Sequence, residues 1–86
     1  MAVVIPAYKE EHRIERVIRN IPPWVSHIVV VDDSSPDGTY SRSKGVKDPR
    51  LVVLRHEQNQ GVGGATMTGF AKAVELGAAV LVKMDG

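Results

Sequence analysis

The chain has 86 residues, with 11 Lys and Arg against 10 Asp and Glu, and its net charge of +1 gives no electrostatic case for nucleic acid or an anionic membrane surface. It has no cysteine, which excludes a disulfide framework and a thiolate metal site. Hydrophobic residues make up 43%, enough for the core of one small domain, but no apolar stretch approaches the ~20 residues that span a bilayer, and the segment Met1–Pro6 lacks the basic flank of a signal peptide.

In chain order, Ala2–Ile5 is a continuous apolar run, as expected of a strand covered on both faces. A helix is expected from about Lys9 to Asn20, with Ile14, Val17, Ile18 and Ile21 on one stripe and Pro22-Pro23 as its stop. Ile28–Val31 reads as the second strand, and the stretch from Asp37 to Asp48, with only Tyr40 and Val46 apolar, as at most a short helix. Leu51–Leu54 reads as the third strand. The helix that follows should bury Met67, Phe70, Ala71 and Val74, with Gly77 as its C-terminal cap, before a fourth strand at Ala78–Val82. The order β-α-β-α-β-α-β implies an α/β fold: a three-layer α/β/α sandwich with a mainly parallel four-stranded sheet, Rossmann-like, and right-handed crossovers. Ligands of such sheets bind at the carboxyl ends of the strands.

The unusual residues cluster at those ends. Pro6-Ala7-Tyr8 and Glu10 follow the first strand; Tyr8 either stacks on a flat ring or packs on the sheet edge, and Glu10 either reaches a ligand or favours the helix dipole. Asp32 and Asp33 end the second strand, where a carboxylate accepts hydrogen bonds from a base N–H or a ribose hydroxyl, although Asp33–Gly38 also has the chemistry of a capped turn. Asn59-Gln60-Gly61-Val62-Gly63-Gly64 precedes a helix and exposes backbone N–H groups suited to phosphate. Asp85, before Gly86, ends the fourth strand; it either is solvated or shares a hard cation with a second acid. His12, His27 and His56 lack metal-ligand spacing and read as non-catalytic, and Trp24 reads as a packing anchor.

Taken together, these segments resemble family 2 glycosyltransferases of the GT-A fold, including the dolichol-phosphate mannosyltransferase-like branch. The opening VVIPAYKEE, Val3–Glu11, resembles the family's VIPAYNEE. Val29–Thr39 resembles VVDDGSxDGT, Asn59–Ala65 resembles N-x-G-x-G-x-A, and Val82–Gly86 resembles the start of K-x-D-G-D-G-Q. The resemblance implies that Pro6, Ala7, Tyr8 and Glu10 line the base and ribose pocket, and that Val31 and Asp33 contact the base. Asn59, Gly61 and Gly86 would join the nucleotide-sugar site, and Asp85 would be the first acid of a D-x-D that holds Mg²⁺ or Mn²⁺. It further implies a GDP- or UDP-sugar donor, a lipid-phosphate or glycan acceptor, and a cytoplasmic setting or the cytoplasmic face of a membrane. Two departures stand out: Lys9 replaces the usual Asn, expected to alter only a loop contact, and Ser34 replaces a common Gly, so a positive φ there would be strained.

Residues 1–86 therefore read as the nucleotide-sugar-binding N-terminal part of a glycosyltransferase domain, cut at the D-x-D motif, with any catalytic base and the acceptor site beyond Gly86. A dinucleotide-binding domain is the first rival: Gly61 and Gly63 begin a G-x-G-x-x-G, but Thr66 replaces the third glycine and the motif follows the third strand rather than the first. A non-catalytic, receiver-like module is the second; it would need an Asp at the end of the third strand, where the chain has Arg55-His56.

Overall fold

The computed structural model describes residues 1–83 in backbone, and side chains up to residue 79. The elements are β1 (Ala2–Ala7), α1 (Ile14–Arg19), β2 (His27–Asp32), α2 (Thr39–Gly45), β3 (Leu51–Arg55), α3 (Gly61–Glu75) and β4 (Val80–Lys83). The four strands form one sheet in the order β3-β2-β1-β4, and every neighbouring pair is parallel. The first two crossovers step from β1 outward to β3, and the third returns across β1 to β4. The chain therefore reverses its winding between β1 and β4, the type of point where open α/β sheets bind ligands.

Alternation along the strands divides the core into two halves. Val3, Ile5, Ala7, Ile28 and Val30 pack on one face with Ile14 and Ile18 of α1, Ile21, Val25 and Val46. Val4, Val29 and Val31 pack on the other with Ala65 of α3, and Phe70, Leu54 and Leu76 lie against them. The result is the expected three-layer sandwich. Ile14 and Ile18 are fully buried, each worth about 1.5–3 kcal/mol by apolar area. By contrast β3 is an edge strand: Leu51, Val52, Val53 and Leu54 are only half-buried, although their apolar run reads like that of a doubly covered strand.

Helix α1 is shorter than the periodicity predicts. Lys9 has φ +54°, outside the right-handed helical region, and the chain turns through residues 11–13, with Arg13 and Ile14 N–H both donating to Glu10 O, before the helix sets in at Ile14. Beyond the other end, Arg50 pins the loop between α1 and β2. Its guanidinium donates to the carbonyls of Pro22 (2.7 Å) and Val25 (3.0 Å) and is held by Asp48 through Nε (3.1 Å) and Nη2 (2.9 Å). A planar fork of donors suits such a cluster of loop carbonyls.

Of the face expected for helix α3, Phe70 packs against the core, but Met67, Ala71 and Val74 are exposed. Its buried residues are Ala65, Gly69 and Ala73, while Met67 and Val74 are 69% and 71% exposed. The reason is distance. A Cβ on Gly69 would lie 2.2 Å from Val4 Cγ1 and 3.3 Å from Val31 Cγ2. The helix lies so close to β1 and β2 that only small residues fit, and the bulkier stripe is displaced outward. Trp24 is likewise 65% exposed and anchors nothing among the described residues. Gly69→Ala should therefore destabilise the protein by about 1–3 kcal/mol, the range for overpacking a filled core, and pairing it with Val4→Ala should recover part of the loss in chemical denaturation.

Candidate functional site

The loops that leave β1, β2 and β3 at their carboxyl ends are tied to one another. Asp33 N–H donates to Ala7 O (2.9 Å) and His56 N–H to Asp32 O (2.9 Å), so pairing continues one step past each strand. Lys9 N–H donates to Ser35 Oγ (3.1 Å) and Glu10 N–H to Thr39 Oγ1 (2.9 Å). The Thr39 hydroxyl donates in turn to Asp37, whose carboxylate also accepts from Thr39 N–H. The Thr39 hydroxyl, first, and then that backbone donor hold the Asp37 carboxyl below its ordinary range.

These loops and the start of α3 enclose a cavity of about 450 Å³, lined by Pro6, Ala7, Tyr8, Glu10, Asp33, Asn59, Gly61, Val62 and Ala65. Seven residues singled out in the sequence thus meet in one cavity: Pro6, Ala7, Tyr8, Glu10, Asp33, Asn59 and Gly61. Tyr8 is 43% exposed, leaving ring surface open, and the Lys9 ammonium sits 5.4 Å from its centroid. Glu10 forms an ion pair with Arg13 at 3.3 Å. Val31 does not belong to this group. Its side chain is fully buried among Val4, Val29 and Ala65, because a strand turns successive side chains to opposite faces and Val31 points into the α3 side of the core. Asp85 and Gly86 lie outside the described residues.

Asp33 is the most connected group of the cavity wall. It is almost completely buried, and its Oδ1 accepts from Gln60 N–H (2.8 Å) and faces His56 Nδ1 (2.8 Å), while its backbone carbonyl accepts from Asn59 Nδ2 (3.1 Å). Burial alone would raise the Asp33 pKa, but the hydrogen bonds from Gln60, His56 and Gly61 together outweigh it and hold the carboxyl below its ordinary 3.8. His56, set aside in the sequence, reaches past Asp33 to Thr68 Oγ1 at 2.8 Å. Val62, His56 and Thr68 are the site residues that the motifs do not announce, and Ala65 closes the motif that begins at Asn59. Asp32 is also fully buried; Arg55 Nε lies 3.4 Å from its Oδ2, and its Oδ1 has no hydrogen-bond partner among the described residues.

Helix α3 begins at the cavity. Gly61 has φ +80°, which a side chain would strain, and its N–H donates to Asn59 Oδ1 (3.0 Å). Gln60 makes no side-chain cap, so the first-turn donors beyond Gly61 stay available at the positive end of the helix. The glycine-rich segment stands after the third strand, which is not where a dinucleotide fingerprint places it.

A family model described as Glycosyl transferase family 2 matches residues 2–84. The chain belongs to this family. Among curated proteins it is 39% identical to the UDP-N-acetylglucosamine–dolichyl-phosphate N-acetylglucosaminyltransferase of Methanococcus voltae, over 96% of this chain and 39% of that protein. It is 37% identical to the undecaprenyl-phosphate mannosyltransferase of Micrococcus luteus, over 95% of this chain and 35% of the relative. The polyprenol monophosphomannose synthase of Mycolicibacterium smegmatis is also 37% identical, over 96% of this chain and 33% of its own length. The chain thus spans between a third and two fifths of the length of these family members.

Both departures from the family pattern fall on strained backbone. Lys9 (φ +54°) and Ser34 (φ +61°) are the non-glycine residues with positive φ among those described. Lys9 therefore changes more than a loop contact, since Asn is among the few side chains that tolerate this region. Ser34→Gly should raise stability by about 0.5–1 kcal/mol, the left-handed strain relieved less the added chain entropy of glycine, read as a higher denaturation midpoint. Asp33→Asn should lower stability at neutral pH. A carboxylate held below its free pKa stabilises the fold above that value, so the gap between variant and parent should close as pH falls below 3.8. Acid-denaturation curves of both proteins check this.

Proposed function

We propose that the protein transfers a sugar from a nucleoside-diphosphate sugar to a lipid-phosphate or saccharide acceptor, and that the cavity at the ends of β1, β2 and β3 holds the nucleotide. The observation that carries this reading is the meeting of Tyr8, Glu10, Asp33 and the start of α3 around one cavity. The exposed Tyr8 ring offers a stacking face for a base. The ionised Asp33 accepts from base N–H groups, a preference that suits uracil or guanine. Glu10 reaches ribose hydroxyls, and the first-turn N–H groups of α3 face the diphosphate.

The reaction breaks the bond between the anomeric carbon and a phosphate oxygen, which leaves its electron pair on the nucleoside diphosphate. The acceptor oxygen forms the new bond to that carbon. A phosphate acceptor is already ionised and needs no general base; a hydroxyl acceptor does. The relatives named for dolichyl- and undecaprenyl-phosphate support a lipid-phosphate acceptor, which would place the reaction at the cytoplasmic face of a membrane. No described helix is long and apolar enough to cross one.

A divalent cation would neutralise the charge that builds on the leaving diphosphate. Among the described residues no group of three or more His, Asp or Glu side chains could hold one. The described part of the cavity therefore has no cation cage of its own, and a Mg²⁺ or Mn²⁺ would be held by Asp85 with a further acid.

Titrating the full-length protein with UDP- and GDP-sugars, with and without Mn²⁺, tests the reading. One of the two donors should bind and NAD should not, and Asp33→Ala should weaken binding about tenfold or more, the loss expected for hydrogen bonds to a charged group. Undiminished donor binding after both Asp33→Ala and Asp85→Ala overturns the assignment.

A further inference from the structure

His56 is 8% exposed, does not line the cavity, and yet both its ring nitrogens are engaged. We propose that His56 is a positioning residue for donor binding: its Nδ1–H fixes the Asp33 carboxylate in the orientation that offers the second oxygen to the nucleotide, and its Nε2 anchors the pair on Thr68 of α3. The inference rests on the nucleotide reading of the cavity.

Nδ1 faces a carboxylate oxygen, which only accepts, so Nδ1 carries the proton; Nε2 meets the Thr68 hydroxyl, which can both donate and accept. Asp33 Oδ1 is occupied by His56 and by Gln60 N–H at 2.8 Å each, and Gly61 N–H, the third donor toward this carboxylate, is itself bonded to Asn59 Oδ1, so no short hydrogen bond reaches Oδ2 among the described residues. Oδ2 is therefore the oxygen left for a base. Without the imidazole, only the backbone N–H groups of Gln60 and Gly61 would remain as donors to the carboxylate among the described residues, and it could rotate about its Cβ–Cγ bond, a broad, soft torsion. The same imidazole joins β3 to α3, so the loop from Asn59 to Gly61, which bonds to Asp33 at its side chain and its carbonyl, is spanned at both ends. Preorganisation of this kind lowers the ordering cost of binding.

Two amides separate this role from simple packing. In His56→Asn the amide nitrogen takes the place of Nδ1 and keeps the donor to Asp33; in His56→Gln it takes the place of Nε2 and keeps only Thr68. UDP and GDP are titrated calorimetrically into the full-length protein and its variants, with the melting temperature of each recorded. His56→Gln should weaken nucleotide binding about tenfold, and His56→Asn should hold it within about threefold of the parent, the difference being one hydrogen bond to a charged group. In an Asp33→Ala background His56→Gln should cost nothing further, because the group it positions is gone. Equal losses in the two amide variants, unchanged binding in His56→Gln, or a loss that persists in the Asp33→Ala background overturns the proposal. A parent protein that binds neither UDP nor GDP removes the nucleotide reading and the inference with it, whereas a binding parent with an indifferent His56→Gln removes the inference alone.

Discussion

The geometry of the cavity depends on one buried carboxylate. Asp33 receives donors from the loop after β3 at its side chain and its carbonyl, and gives its own N–H to Ala7 at the end of β1. An ionised carboxylate in a nearly dry position is costly unless hydrogen bonds satisfy it. Here the donors come from segments that are far apart in sequence, so satisfying the charge and closing the cavity are the same event. This hydrogen-bonded hub gives the loops at the sheet edge a fixed relation to the strands.

The sheet beneath supplies the rigidity. Ala2, Val4, Ile5, Val29, Val30 and Val31 are fully buried, and α3 approaches so closely that Gly69 meets Val4 directly. Local strain is concentrated at the rim instead, at Lys9 and Ser34, next to Tyr8 and Asp33 in the chain. Backbone in the left-handed region persists only where surrounding contacts over-determine it. Ser35 Oγ accepting from Lys9 N–H, and the Thr39 link to Glu10, are such contacts. The rigid core thus carries a strained, hydrogen-bonded rim on which the cavity side chains stand.

Much of this was legible in the sequence, for identifiable reasons. Continuous Val and Ile runs located all four strands, and the polar groups that follow them located the cavity edge, because in a parallel sheet all strand ends of one kind share an edge. Helix α3 shows where such reading ends. Hydrophobic periodicity assigns the core face to the largest residues, but a helix pressed onto a sheet selects the smallest, and Ala65, Gly69 and Ala73 carry no hydrophobic signal strong enough to compete with Met67 and Val74. Val31, which the resemblance puts against the base, has its side chain in the core, where strand alternation sets it on the face opposite Val30. The role of His56 was hidden for a different reason: an isolated histidine has no pattern, and only the pairing register reveals what lies beside it.

That register also resolves the Asp32–Asp33 pair, whose mutual repulsion needs compensation. Asp32 pairs with Arg55 across β2 and β3, and the next residues, Asp33 and His56, meet side by side. Two consecutive acids on one strand therefore face two consecutive nitrogen-bearing side chains on its neighbour. Alternation sends the pairs to opposite faces. Arg55 lies against Asp32 and over the Tyr40 ring at 5.1 Å on the α2 side, while His56 serves Asp33 on the α3 side. Each acid has its own partner, so neither must stabilise the other. The two are not equivalent, however. Asp32 is sealed, with one oxygen unpartnered among the described residues, and its contacts hold the turn into α2, where Ser35 N–H lies 3.4 Å from Oδ2. Asp33 lines the cavity with an oxygen to spare. One dipeptide thus divides its chemistry by strand geometry alone, the first acid holding the scaffold and the second facing the ligand.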